Sequence, residues 1–243
     1  MIDRRRVTFL TATGVLLLLF AGEFADVFRK FALRDQIGQD WAFYATLGQR
    51  WLESGVMYGE RQLIGEAYHV LINVDNLYPP TAIAWFVPFA VLPGPISAVL
   101  WWAIPVVTVA LALARYRPAT WSWPLLALCL AWPRSAGALV VGNSDLWSAG
   151  FVAGGLLWGW PGALGILKPS FLPFALVGSW GARPRSWLVA VGVLAVVSVA
   201  LWGYWPQYLT AATHWDLPLD RALPSVPLLL LPIVAWWART ERG

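Results

Sequence analysis

The chain has 243 residues, of which 59% are hydrophobic and only 12% are charged, whereas soluble domains have roughly 45–50% and 25%. This composition excludes a soluble globular enzyme and indicates an integral membrane protein. The formal net charge of +4 comes from arginines at the predicted membrane edges, so it indicates topology and lipid-headgroup contact rather than nucleic-acid binding.

The charges are placed unevenly, and hydrocarbon explains the gaps, since an ion at the bilayer centre costs at least about 2.5–3.5 kcal/mol. Among the long runs without a charged residue are 76–114, 118–133, 146–167, 186–215 and 222–238. The predicted fold class is an all-α polytopic membrane protein, one transmembrane domain over 1–243 with about six to eight membrane segments. Cys129 is the only cysteine, which excludes an intramolecular disulfide and a cysteine metal cluster.

The first predicted span covers 7–24. Three arginines at 4–6 precede it and place the N-terminus in the cytoplasm by the positive-inside rule. We expect an uncleaved signal anchor, although a cleaved signal peptide has the same pattern. Residues 25–76 then form an outward loop.

This outward loop is too long for a plain connector, so helices lying in the membrane interface are expected in it. One helix is predicted from Asp40 to about Ser54, ending at Gly55. Aromatic side chains are expected at headgroup depth: Trp41, Tyr44, Trp51 and Tyr58.

The remaining membrane segments are predicted within 77–243. Apolar stretches at 81–92 and 96–114 are joined by Pro-Gly-Pro in a tight hairpin. Prolines divide the next stretches into pieces that are broken or re-entrant: 119–132, 136–141, 146–158 and 162–181.

Two longer spans, 187–204 and 223–238, close the chain. Positive charge places 181–185 and 238–243 in the cytoplasm and leaves 205–221 outside. The arginines of 115–118 conflict with this topology. If each apolar stretch up to 96–114 is counted as one membrane crossing, these arginines lie on the outer side of the membrane.

Asp40 has the most informative setting among the acids of the outward loop. It is either a general base or a helix N-cap, where a carboxylate contributes about 1 kcal/mol. The alternatives in that loop and at the end of the first span are Glu23, Asp26, Asp35, Glu53, Glu60, Glu66 and Asp75. Outside that loop, the end of the first span and the chain ends, the acids are only Asp145, Asp216 and Asp220.

Lys168 is a lone cation inside an apolar segment. It suits a phosphate or a partner carboxylate, or else it snorkels to an interface at a helix end. In "VVGNSDLW" (140–147), Asn143 and Asp145 form either a turn with an N-cap, Ser144 or Asn143, or a polar rim that contacts a sugar or phosphate.

Other chemistry has little support in the sequence. His69 and His214 are isolated, and no metal-ligand spacing occurs. A phosphate-binding glycine loop, G-x-S-x-G and H-E-x-x-H are all absent from the sequence.

Four ordered blocks resemble the family 87 glycosyltransferases, bacterial membrane enzymes of the C superfamily. They are "QDWAFYATLGQRWLESGVMYG" (39–59), "LYPPTAIAWFVPFAVLP" (77–93), "GNSDLWSAGFVAGGLL" (142–157) and "ALGILKPSFLPFAL" (163–176). The resemblance spans roughly residues 7 to 210. It implies a polytopic helical bundle of the C-superfamily kind, located in the bacterial cytoplasmic membrane with an outward-facing active site.

The resemblance also implies an activity: an inverting hexosyltransferase that moves mannose from a polyprenyl-phosphate donor to a lipid or glycan acceptor. Asp40 and Tyr44 occupy the family's D-x-x-x-Y positions, so Asp40 is the implied general base. The predicted substrate-binding residues are Tyr44, Tyr78, Asn143, Asp145 and His69. The donor phosphate is assigned to Lys168, with Arg134 and Arg183 as weaker candidates.

No cofactor or metal is expected, since the leaving group is already a lipid phosphate. The chain departs from the family at 142–145, where the family reads Gly-Gln and then Asn, and family members are longer. These departures imply a truncated or minimal form, or the alternative function: a non-catalytic protein that binds or translocates polyprenyl phosphate.

Overall fold

The computed structural model of the protein describes residues 3–65, 75–181, 183–214 and 223–240. Within these ranges every regular element is an α-helix or a 3-10 helix, and the only extended pairing is an isolated bridge between Pro118 and Arg239. The predicted all-α class is confirmed.

The chain is divided into a few long helices and many short ones. The α-helices are α1 (Arg4–Ala32), α2 (Gln39–Ser54), α3 (Glu60–Leu63), α4 (Ile83–Val91), α5 (Gly94–Tyr116), α6 (Trp123–Leu130), α7 (Pro133–Val141), α8 (Ser144–Trp158), α9 (Trp160–Ala163), α10 (Leu172–Ala175), α11 (Val177–Trp180), α12 (Pro184–Ala200), α13 (Trp205–Thr213) and α14 (Val226–Trp237). The 3-10 helices are Pro80–Ala82, Thr120–Ser122, Leu164–Leu167, Pro169–Phe171, Trp202–Tyr204 and Leu223–Ser225.

α1 is longer than the span predicted at 7–24. Asp3 caps its start by accepting from the backbone N–H of Arg5, and its last turns are amphipathic. There Asp26 pairs with Arg29 and Lys30 at i+3 and i+4, a spacing that supports helix beyond the apolar run. The helix therefore continues about eight residues past the predicted end, from 24 to Ala32.

α2 confirms the helix predicted from Asp40 to Ser54. It ends at Gly55, which takes the left-handed conformation with φ 68°, as a glycine C-cap does. The expected headgroup position of two aromatic side chains is wrong, because Tyr44 is 3% exposed and Tyr58 is 2% exposed. Both belong to the protein core rather than to an interface.

That core is built from aromatic rings on α2, α4, α5 and α8. The Tyr44 ring stacks on Phe86 and Trp101, each at 5.1 Å between ring centroids. Trp85 and Trp147 extend the cluster toward α8. Aromatic pairs of this kind contribute about 0.5–1.5 kcal/mol each beyond area burial, so the cluster fixes α2 against the bundle.

α8 is the central helix. Every residue from Ser144 to Leu156 is buried, and α5, α14 and α9 pack against it. Glycines permit the close approach: a Cβ added at Gly150 would lie 2.9 Å from Pro105. Polar groups at the N-terminus of α8 are thereby held inside the bundle.

Long apolar helices are fewer among the described residues than the predicted membrane segments. Among the described residues, α1 and α5 are long and apolar enough to cross a membrane. Two helix pairs bent by 62° and 69°, Thr120–Leu130 with Pro133–Val141 and Pro184–Ala200 with Trp202–Thr213, raise the number to four if each pair is one span. The predicted six to eight membrane segments include broken pieces, and shorter apolar helices of that kind lie at Pro80–Val91 and Leu223–Trp237. Prolines keep such pieces shorter than the ~20 residues of a straight span.

The segment 115–118 packs against the segment that follows α14. The Ala119 backbone N–H donates to Ala238 O at 2.8 Å, and Thr240 Oγ1 donates to Arg117 O at 2.9 Å. The arginines of 115–117 therefore lie at the same end of the molecule as Arg239.

Candidate active site

The site begins at the turn that leads into α8. Gly142 adopts the left-handed conformation with φ 71°, and Asn143 follows as the N-cap residue, its side chain accepting from the Asp145 backbone N–H at 2.9 Å. The predicted turn and Asn143 cap are therefore confirmed. Indole N–H groups of α5 hold this turn: Trp101 donates to Gly142 O at 2.7 Å and Trp102 to Leu139 O at 2.6 Å.

Asp40 is not a helix N-cap, so that interpretation is wrong. The N-cap of α2 is Gly38, whose backbone N–H donates to Val140 O at 3.0 Å, and Asp40 is the second residue of the helix. Its Oδ2 instead accepts from Asn143 Nδ2 at 2.5 Å. The contact joins residues 103 positions apart, so α2 and α8 meet at this carboxylate.

Asp40 lines a cleft of about 400 Å³ between the end of α1 and α7. The polar side chains in the cleft are Gln39, Asp40, Arg134 and Asn143, and the apolar wall is made by Val27, Phe31, Pro133, Gly137, Ala138 and Val141. A carboxylate and a guanidinium thus share one partly apolar cleft.

Burial raises the pKa of Asp40 above its ordinary value. The hydrogen bond from Asn143 opposes this, as do the positive charges of Lys168 and Arg134, while the charge of Asp145 adds to the rise. A carboxylate with a raised pKa accepts protons more readily than a solvated one, which suits a general base.

Lys168 reaches inward rather than to an interface. Its Nζ forms an ion pair with Asp145 Oδ1 and donates to Ser144 Oγ at 2.8 Å, and its side chain is only 14% exposed. The ammonium also lies 4.8 Å from the centroid of the Phe171 ring. The snorkelling interpretation is wrong, and of the two binding partners predicted for this lysine the structure shows the carboxylate.

Asp145 is 3% exposed and both its oxygens are occupied. Oδ1 faces Lys168 and Oδ2 accepts from Ser225 Oγ at the start of α14. Sequence reasoning missed Ser225, which lies 80 residues from its partner in a Leu-Pro-Ser turn with no distinguishing local pattern. Asp145 therefore joins α8 to α14 from within the bundle rather than forming a polar rim.

Tyr44 and Tyr78 form a buried hydroxyl chain beside this ion pair. Their hydroxyls are 2.9 Å apart, and Tyr78 Oη lies 2.7 Å from Ser144 Oγ, which also accepts from Lys168. Neither tyrosine lines the Asp40 cleft. Burial raises the pKa of Tyr44 well above its ordinary value, so its hydroxyl stays protonated.

The weaker sequence candidates lie elsewhere. Arg183 sits against Gly159 at the C-terminal end of α8, roughly 22 Å from Asn143 at 1.5 Å per residue, so it is not part of the cleft. His69 falls outside the described residues. His214 contacts Gln62 O at 3.1 Å, near α3.

A second groove is apolar, and residues that flank Lys168 in the chain, Ile166 and Pro169, are part of its lining. Its volume is about 360 Å³, and its lining residues are Pro79, Thr81, Ile166, Pro169, Leu172, Val191, Leu194, Ala195, Ser198, Trp205 and Tyr208. Across the described ranges, no group of three or more His, Cys, Asp or Glu side chains is placed to hold a metal ion.

Comparisons with protein-family models, with curated proteins and with solved structures found no match to this chain. Fold and geometry therefore carry the functional argument. The long apolar helices fit an integral membrane protein.

Proposed function

We propose that the protein is an inverting membrane hexosyltransferase. It moves a hexose, with mannose as the first candidate, from a polyprenyl-phosphate donor to an acceptor hydroxyl. One observation carries the proposal. The Asp40 carboxylate, held on one oxygen by Asn143, shares a cleft with the Arg134 guanidinium.

Asp40 is assigned as the general base. The acceptor hydroxyl gives its proton to Asp40 while its oxygen attacks the anomeric carbon, and the bond from that carbon to the donor phosphate oxygen breaks. A single displacement inverts the anomeric centre. The leaving polyprenyl phosphate keeps the electron pair of the broken bond.

Arg134 is assigned to the leaving phosphate. Guanidinium groups bind phosphate through two parallel hydrogen bonds, and such a group stabilises charge that develops on the leaving oxygen. Lys168 is already committed to Asp145 and Ser144, so we assign it a supporting electrostatic role rather than direct phosphate contact.

The location proposed for the cleft is the outer face of the bacterial cytoplasmic membrane. Val27 and Phe31 of α1 line the cleft, whereas the arginines at 4–6 lie roughly 33 Å away along the helix at 1.5 Å per residue. Arg117, Arg183 and Arg239 also lie away from the cleft. By the positive-inside rule this arginine-rich end is cytoplasmic and the cleft faces outward.

The test is transfer by purified protein supplied with radiolabelled polyprenyl-phosphate mannose and a membrane lipid extract. Asp40→Asn should abolish labelled product while protein yield stays at the wild-type level. Asp35→Asn is the matched control, because it makes the same change at an exposed acid outside the cleft. Full transfer by Asp40→Asn would exclude Asp40 as the base.

A second candidate function is binding or translocation of polyprenyl phosphate without transfer. The apolar groove beside Lys168 favours it, since an apolar chain fits such a lining. This function predicts retention of radiolabelled polyprenyl phosphate by wild type and by Asp40→Asn alike, with no glycosylated product from either.

A further inference from the structure

The Asn143 side chain connects α8 with α2 through the two polar atoms of its amide. Its Oδ1 accepts from the Asp145 backbone N–H at 2.9 Å, and its Nδ2 donates to Asp40 Oδ2 at 2.5 Å. The first contact caps α8, whereas the second has no part in capping.

The orientation of the amide follows from these two neighbours. A flipped amide would point its NH₂ at the Asp145 N–H and its oxygen at the Asp40 carboxylate, which places donor against donor and acceptor against acceptor. Only the observed orientation satisfies both partners, so the amide presents its NH₂ to Asp40.

The backbone that carries Asn143 is itself held in place. Its N–H donates to Ala138 O at 2.9 Å, and the carbonyl of the preceding Gly142 accepts from the buried indole of Trp101. Trp102 binds Leu139 O one turn earlier. An amide on so constrained a turn can fix the position of the group it binds.

We propose that Asn143 is a positioning residue for Asp40 and not a substrate ligand. It holds Oδ2 and leaves Oδ1, which has no hydrogen-bond partner among the described residues, to the cleft that Asp40 lines. The catalytic role of Asn143 rests on the proposed transfer reaction, whereas its effect on the Asp40 carboxylate does not depend on that reaction.

The charged groups around Asp40 are Arg134 on α7, Asp145 on α8 and Lys168 in the segment after α9. The donor from Asn143 stabilises the ionised carboxylate and so lowers the pKa of Asp40 against the effect of burial. Loss of this donor should therefore raise that pKa, and the acid limb of the transfer rate should move to higher pH.

Two variants separate positioning from capping, because Ser and Asp cap helices about as well as Asn. Asn143→Ser retains a cap whose hydroxyl is too short to bridge to Asp40. Asn143→Asp retains a cap but replaces the donor by a second carboxylate. Both should still fold, but Asn143→Ser should lower the thermal midpoint of the purified protein slightly and Asn143→Asp should lower it more, because a raised pKa of Asp40 in the folded state weakens folding at neutral pH. The remote cap exchange Asp3→Ser should leave the midpoint unchanged.

The measurement is the pH midpoint of carbodiimide modification at Asp40, read by mass spectrometry, because carbodiimides react with the protonated carboxyl. The midpoint should shift to higher pH in Asn143→Ser and further in Asn143→Asp, with no shift in Asp3→Ser. It requires no substrate, so it remains informative if wild-type protein transfers no sugar.

An unchanged midpoint in both variants would overturn the positioning role, whether or not wild-type protein transfers sugar. A raised KM for the donor with an unmoved pH profile would instead show that Asn143 binds substrate. A shifted midpoint in a protein without transferase activity would uphold the positioning contact while removing the proposed function.

Discussion

The buried ion pair between Lys168 and Asp145 is the interaction between single residues that should matter most for stability. Lys168 and Asp145 have side chains 14% and 5% exposed, and moving a lone ion into such surroundings costs several kcal/mol. Ser144 and Ser225 bind the remaining polar atoms of the pair. The pair is satisfied only as a unit, so removing one partner should be far worse than removing both.

Lys168→Met should therefore lower the free energy of unfolding by about 3–5 kcal/mol, because it leaves the Asp145 carboxylate buried and unpaired. The double variant Lys168→Met with Asp145→Leu should recover much of that loss. Denaturation with SDS from mild detergent, followed by tryptophan fluorescence, measures both. Lys30→Met, which breaks an exposed pair with Asp26, should change little. Additive losses in the double variant would contradict this account.

Arg134 offers a second test at this scale, through pH. Its charge lowers the pKa of Asp40, so Arg134→Gln should raise that pKa. Because the base must be ionised, the acid limb of the transfer rate should then move to higher pH. Turnover should also fall about 10- to 100-fold, as expected for one charge-assisted hydrogen bond worth about 1.5–3 kcal/mol.

Arg134→Lys is the matched control for the pH effect, since it keeps the positive charge but loses the planar fork. Its acid limb should stay near that of wild type even though its turnover falls. An acid limb that moves equally in both variants would show that Arg134 does not act on Asp40 through charge.

Sequence reasoning identified the unusual polar side chains, but it was less successful in predicting what they contact. Asp40, Asn143 and Lys168 stand out because polar groups beside apolar runs are costly, and the structure brings them to one region. Their partners depend on packing between elements far apart in the chain. Ser225 was missed for that reason, and of the two roles considered for Asp40 the helix N-cap is wrong, because Gly38 is the N-cap residue.

Helix ends were predictable where local chemistry determines them. Gly55 ends α2 by adopting positive φ, and Pro133 and Pro161 lie in the first turns of α7 and α9. The buried face of α2 was not predictable, because aromatic side chains suit a membrane interface and a protein core equally well.

A glycine on that buried face sets how closely α2 approaches α4. A Cβ added at Gly48 would lie 2.9 Å from Ala90 Cβ and 3.0 Å from Phe86 O, neither of which can move aside easily. Gly48→Ala should lower the free energy of unfolding by about 1–3 kcal/mol through overpacking. It should also reduce transfer, because α2 carries Asp40.

Gly14→Ala provides the control for this substitution. It makes the same change within α1, where a Cβ meets nothing within 4 Å, so only helix propensity acts, and that favours alanine by about 0.5–1 kcal/mol. SDS denaturation compares the two variants. Equal stability of both would show that α2 and α4 are not held at the distance described.

At the scale of the whole molecule, several arginines lie at the end of the bundle away from the Asp40 cleft, and the α1 cations beside the cleft, Arg29 and Lys30, are paired with Asp26. One end carries Arg117 and Arg239, joined by the pairing of their segments, and the other carries the Asp40 cleft. The number of crossings could not be read from run length, because α6 and α7, which come from two short apolar stretches, meet at a bend of 62° and could form one span together.

This separation predicts which end is accessible from outside the cell. In a Cys129→Ser background, which removes the only cysteine, Ser54→Cys marks the exposed end of α2 and Thr240→Cys marks the arginine-rich end. A membrane-impermeant maleimide should label Ser54→Cys in intact cells and Thr240→Cys only after permeabilisation, since arginine-rich segments stay in the cytoplasm. The reverse labelling pattern would place the cleft on the cytoplasmic side and would contradict an acceptor on the outer face. Labelling of both variants in intact cells would show that the arginine-rich end is not confined to the cytoplasm.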